Sequence, residues 1–134
     1  MTDRPRLLIV DDLREYRESL SRVLSGEFDI VTAADLESAK EATDETLSLA
    51  LVDVRLSEDD ADNPGGVRYL EWAQSTRPNL PVVMMSVYST LTPERAKALG
   101  AREFLRKPID VDALHELLRR LARESEVGPD VSER

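Results

Sequence analysis

Leu49-Ala50-Leu51-Val52-Asp53 is the stretch on which the fold turns. Four apolar residues run unbroken into a carboxylate. A strand with one wet face alternates apolar and polar residues, whereas a continuous apolar strand is expected where helices cover both faces of a parallel sheet. Asp53 has no capping duty there, since the chain offers no new helix until Gly66. Three other runs have the same form. Leu7-Leu8-Ile9-Val10 runs into Asp11-Asp12, Val82-Val83-Met84-Met85 into Ser86, and Phe104-Leu105-Arg106 into Lys107-Pro108. In an open parallel sheet the carboxyl ends of the strands share one edge, and ligands bind there. These four ends would bring three carboxylates, a hydroxyl and an ammonium to one crevice. That set suits a divalent metal and a phosphoryl group.

Outward from these runs, strand-like and helix-like segments alternate five times. Strands are expected at Arg6–Val10, Phe28–Ala33, Leu49–Val54, Val82–Met85 and Glu103–Leu105. Leu13–Ser25 reads as a helix with Leu13, Tyr16, Leu20, Val23 and Leu24 on one face, ended by Gly26. Asp35 caps a second helix, to about Glu45, with Leu36, Ala39 and Ala42 inward. A third spans Val67–Thr76, with Pro78 beyond its end. A short fourth begins at Thr92-Pro93 and stops at Gly100. A fifth opens at Asp110 and carries an apolar stripe of Val111, Leu114, Leu117, Leu118 and Leu121. This order predicts an α/β fold: a doubly wound, five-stranded parallel sheet with helices on both faces and right-handed crossovers. The second and fifth strands are the more polar, which suits edges. The flavodoxin-like order 2-1-3-4-5 meets these constraints and sets Asp11, Asp12 and Asp53 at its switch point.

At 134 residues, 41% hydrophobic and 34% charged, the chain has the size and composition of one folded domain. From Glu124 the composition turns polar, so residues 1–123 are expected to form the domain and 124–134 a polar tail or linker stub. A net charge of −9 argues against nucleic-acid binding by this domain, which needs a basic face. Cysteine is absent, which removes disulfides, thiol nucleophiles and thiolate metal sites. No apolar run approaches the ~20 residues of a membrane span, and the polar start does not read as a signal peptide. The expected location is therefore the cytoplasm.

Each candidate residue also has an ordinary reading. Asp12 could cap the first helix and Asp11 could be a loop residue. Lys107 alone would be a solvated lysine, and Ser86 alone a cap. Their shared position after strands favours a site. Three carboxylates in one crevice repel, and Mg²⁺, with its preference for oxygen ligands, removes the conflict. An aspartate is also a competent phosphoryl acceptor. Lys107 would then place positive charge, and Ser86 a hydrogen-bond donor, on the phosphoryl oxygens.

Over about residues 5–123 the sequence resembles the receiver domains of two-component response regulators. The resemblance rests on Leu8-Ile9-Val10-Asp11-Asp12, Leu51-Val52-Asp53-Val54-Arg55, Met84-Met85-Ser86 and the stretch from Gly100 to Lys107-Pro108. It implies that Asp53 is the phospho-acceptor. It further implies that Asp12, Asp53 and the backbone carbonyl of Arg55 coordinate Mg²⁺, with Asp11 holding the metal mostly through water. Ser86 and Lys107 would bind the phosphoryl oxygens, Phe104 would be the switch aromatic, and the Lys107-Pro108 bond would be cis. The implied partners are a histidine kinase or phosphotransfer protein and an output domain or target protein, with dimerisation left open. The domain would catalyse its own phosphorylation and dephosphorylation while serving mainly as a signalling switch.

The chain also departs from that pattern. Ser57 stands where the family has a proline, and Gly65-Gly66 replaces an Asp-Gly pair reached sooner. Ser57–Asn63 is thus an acidic insertion, read as a tolerated surface loop rather than a specificity element. The helix from Thr92 is shorter than usual. Among residues outside the motifs, His115 reads as a surface or boundary histidine, Tyr69 and Trp72 as packing residues, and Tyr88 as lying near the crevice mouth. Competing functions are weaker. A receiver-like interaction module that is not phosphorylated has only the altered loop in its favour. A free-standing Mg²⁺ phosphatase would want a second aspartate where Arg55 stands. A flavin protein would want a phosphate loop after the first strand.

Overall fold

The computed structural model describes residues 4–56, 65–87 and 91–132, with side chains described to Glu124. The insertion Ser57–Asn63 and Tyr88 lie outside the described residues. Strands β1 (Arg6–Val10), β2 (Asp29–Ala33), β3 (Leu49–Asp53), β4 (Val82–Ser86) and β5 (Glu103–Arg106) form one parallel sheet in the order β2-β1-β3-β4-β5. Between and after them run α1 (Arg14–Leu24), α2 (Leu36–Ala42), α3 (Gly65–Thr76), α4 (Pro93–Ala98) and α5 (Val111–Ser132). The expected architecture and strand order are those observed.

Side-chain alternation along the strands divides the interior in two. Leu8, Val10, Ala50, Val52, Val82 and Met84 pack toward α2, α3 and α4, with Ala39, Tyr69, Leu70 and Ala96. Leu7, Ile9, Leu49, Leu51, Val83 and Met85 pack toward α1 and α5, with Leu20, Leu24, Leu114 and Leu118. Every residue of β3 and β4 is buried, as their continuous apolar runs require. By the same alternation Asp53 belongs to the α1/α5 side and Ser86 to the α3/α4 side.

The sequence reading of helix faces was too generous at the ends. Leu13 is 60% exposed and serves as the N-cap of α1 without a side-chain cap bond. Val23 and Val111 are exposed as well. Each sits at or next to a helix terminus. Helix α5 continues in the backbone to Ser132, through the polar stretch that reads as a tail in sequence. Asp35 does cap α2: its carboxylate accepts from the Ser38 amide at 2.8 Å, and a capping box closes with the Ser38 hydroxyl. Tyr69 is buried with its hydroxyl 2.7 Å from that of Thr43, and its ring lies 5.8 Å from Trp72, so both aromatics are packing residues. Among the described residues no helix is long and apolar enough to cross a membrane.

Candidate functional site

The carboxyl ends of β1, β3 and β4 and the turn after β5 meet at one edge of the sheet. Register sets them level: Val10 pairs with Val52, Asp53 with Met85, and Ser86 with Arg106. Asp11, Asp12 and Asp53 each present a carboxylate oxygen there, all within 4.8 Å of one another. Lys107 reaches in from the β5–α5 turn, its peptide bond to Pro108 cis. Its Nζ donates to Asp11 Oδ2 at 2.7 Å and lies 3.7 Å from Asp53 Oδ2. The Lys107 side chain is only 8% exposed, so this ammonium is not the solvated lysine of the ordinary reading.

Asp11 is fully buried and has both oxygens engaged. Oδ1 accepts from the Leu13 amide at 2.9 Å, forming the turn into α1, and Oδ2 takes Lys107. Its backbone carbonyl accepts from Arg17 at 2.7 Å. Asp12 is exposed and does not cap α1. Burial first, and then the charge of Asp11, push the Asp53 carboxyl up to about 7 against the pull of Lys107; Asp12 adds to the rise and the Arg55 amide opposes it. Ser86 is buried, and its carbonyl accepts from the Lys107 amide at 2.9 Å. Phe104 lies two residues behind Arg106 on the β5 face that Ser86 shares. It is already packed with Met84 and Ala96 at 8% exposure, so an inward turn has little distance left to travel.

Two contributors escaped the sequence reading. Gly66 abuts the acceptor strand: a Cβ there would stand 2.0 Å from the Asp53 carbonyl oxygen, and the Gly66 amide donates to Val54 at 2.9 Å. The glycine pair was visible, but what it faces was not. Gly66→Ala should therefore cost about 2–3 kcal/mol in urea unfolding and disturb Asp53; an unchanged midpoint would contradict this packing. Tyr16 was read only as an apolar-face residue, yet its ring centroid lies 4.1 Å from Lys107 Nζ. Burial, then Asp11 and Asp53, raise its hydroxyl pKa above the ordinary value. His115, by contrast, is remote from the crevice, with Nδ1 2.7 Å from Glu27 and Nε2 3.0 Å from the Val23 carbonyl.

The donor set fits Mg²⁺. Oxygens on opposite sides of an octahedral ion at about 2.1 Å stand about 4.2 Å apart, close to the span of the three aspartates. Burial, with the charges of Asp11 and Asp12 beside it, raises the Asp53 carboxyl, and a divalent cation bound there would relieve that cost. Because both oxygens of Asp11 are engaged, Asp12 and Asp53 are the better direct donors.

A family model described as "Response regulator receiver domain" matches residues 7–119. The "Response regulator protein PilR" of Pseudomonas aeruginosa is 34% identical over 118 residues, 86% of this chain and 25% of that protein. The chain spans about a quarter of the length of the curated relatives it matches. Among solved structures, a CheY-like response regulator receiver domain protein from Methanospirillum hungatei superposes with a TM-score of 0.81 at 27% identity, covering 92% of this chain and 98% of that one. The receiver domain of NtrX from Brucella abortus gives 0.76 at 31% identity, covering 87% and 98%.

Proposed function

The chain belongs to the response regulator receiver domain family, and on that premise we propose that Asp53 accepts a phosphoryl group from the phosphohistidine of a histidine kinase or phosphotransfer protein. The observation that carries this reading is the buried Asp11–Lys107–Asp53 cluster at the strand ends, with Asp12 beside it. Mg²⁺, held by Asp12, Asp53 and the Arg55 carbonyl, with Asp11 behind it, would neutralise the carboxylates and the phosphoryl oxygens.

The chain's own residues do the rest. Asp53, ionised, attacks phosphorus in line; its O–P bond forms as the N–P bond to imidazole breaks. Lys107 needs only a short swing from Asp11 to meet an oxygen of the new phosphoryl group. The Ser86 hydroxyl donates to another. Water later attacks phosphorus, the Asp53 O–P bond breaks, and inorganic phosphate leaves as the carboxylate is restored.

The same contacts make a switch. Drawing Ser86 toward the phosphoryl oxygens shifts its strand partner and the shared β4/β5 face, with Phe104 locked inward in the active state. Phosphorylation should then move amide resonances from Ser86 through α4 to Lys107. Changes confined to the neighbourhood of Asp53 would count against the coupling. An output domain or target protein would read that face, and a cytoplasmic location belongs to the same proposal. The direct test is incubation with Mg²⁺ and acetyl phosphate. Intact mass should report one phosphoryl group gained and then lost, and a chelator should block the gain. No gain with Mg²⁺ present would refute the reading.

A further inference from the structure

Lys107 is held from three sides, and one of them is not a charge. Its Nζ lies 2.7 Å from Asp11 Oδ2, 3.7 Å from Asp53 Oδ2 and 4.1 Å from the centre of the Tyr16 ring. We propose that Tyr16 is a positioning residue for Lys107: its ring face, with Asp11, keeps the ammonium in the crevice and ready to move onto a phosphoryl oxygen at Asp53. This rests on the phospho-acceptor reading above.

The placement follows from how the chain enters α1. Asp11 Oδ1 accepts from the Leu13 amide and closes the turn; Arg17 ties the Asp11 carbonyl to the helix. Tyr16, on the first turn of α1, then faces the β5–α5 turn 91 residues further on. One short segment therefore supplies both the carboxylate and the ring that hold the lysine. The two holders differ in kind. A third carboxylate would bind Lys107 tightly, deepen the repulsion at Asp53 and compete with the incoming phosphoryl group. A ring face attracts the cation through its quadrupole and adds no charge. It also covers an ammonium whose side chain is 8% exposed, which strengthens its attraction to Asp11 and Asp53. The hydroxyl does not enter the contact with the ring face, and burial beside Asp11 and Asp53 keeps it neutral.

The test uses Tyr16→Phe, which keeps the face, and Tyr16→Leu, which keeps bulk without it. Ring current should displace the Lys107 ε-methylene proton resonances upfield in the Mg²⁺-free wild type and in Tyr16→Phe, and the displacement should vanish in Tyr16→Leu. With acetyl phosphate and Mg²⁺, Tyr16→Leu should be phosphorylated roughly threefold to tenfold more slowly, while Tyr16→Phe stays within about twofold of wild type. Lys107 resonances at ordinary positions in the wild type overturn the proposal with no variant needed. A slow Tyr16→Phe overturns it too, as does a Tyr16→Leu that matches wild type in rate. If the wild type takes up no phosphoryl group, the phospho-acceptor reading fails by itself, and the Lys107 resonances still decide whether Tyr16 holds the ammonium.

Discussion

Asp53→Asn will take up phosphoryl groups from acetyl phosphate more slowly than wild type by roughly three orders of magnitude or more. The substitution keeps the shape of the side chain and the hydrogen-bond reach of its remaining oxygen. It removes the carboxylate that ends the central strand, beside Lys107 and the other two aspartates. An amide is a poor nucleophile toward phosphorus, and Asp53 is the carboxylate that closes the central strand beside the Lys107 ammonium, 3.7 Å away. Asp11 is the nearest rival, yet both of its oxygens are engaged. Ser86 offers a hydroxyl rather than a carboxylate, and its carbonyl accepts from the Lys107 amide at 2.9 Å. Folding should be retained, because an uncharged side chain at a crowded acidic site relieves repulsion. Intact mass against time compares the two proteins directly, and uptake by Asp53→Asn at the wild-type rate would overturn the assignment.

In Mg²⁺-free buffer the protein will be less stable at pH 8 than at pH 5, by up to about 3 kcal/mol. Asp53 carries a folded-state pKa of about 7 against an ordinary 3.8. Between those values the folded protein holds a proton that the unfolded chain releases, so the unfolding free energy falls as pH rises through that window. About two units of that window lie above pH 5, and at about 1.36 kcal/mol per unit they amount to about 3 kcal/mol as a ceiling. Carboxylates with lowered values, such as Asp35 beside Ser38 and Asp44 beside Thr46, change stability only below the ordinary carboxylate range, outside this comparison. Two controls isolate the cause. Asp53→Asn should flatten the profile between pH 5 and 8, and millimolar Mg²⁺ should recover stability at pH 8 more than at pH 5, since a cation binds the ionised form. Urea unfolding with and without Mg²⁺ measures all of this. A flat wild-type profile together with no Mg²⁺ effect would remove the crowded-carboxylate account of the site.

The sheet was legible because its signal is local. Leu49–Val52 and Val82–Met85 are apolar without interruption, and that pattern alone says both faces are covered. Strand order followed from which runs were most apolar, and the site's outline from what stood at their ends. What sequence could not supply was the third dimension of the turns. Asp11 and Asp12 are adjacent and chemically identical, yet one is buried under Lys107 and the other is exposed, because the turn closed by the Leu13 amide rotates them apart. Tyr16 at helical spacing looked like one more apolar-face residue; only the approach of a turn 91 residues away makes it a neighbour of an ammonium. Gly66 likewise owes its role to a backbone oxygen it nearly touches. Phe104 is a different case: its identity suggested a mobile aromatic, while packing against Met84 and Ala96 gives it a buried resting place.

Locating the phosphoryl group tests the central claim most directly. Borohydride converts an aspartyl phosphate to homoserine, a stable mark that survives digestion and peptide sequencing. After incubation with Mg²⁺ and acetyl phosphate, the account predicts that mark at Asp53 and at no other residue. A mark at Asp11 or Asp12, or phosphate recovered on Ser86 or His115 with Asp53 intact, would contradict it.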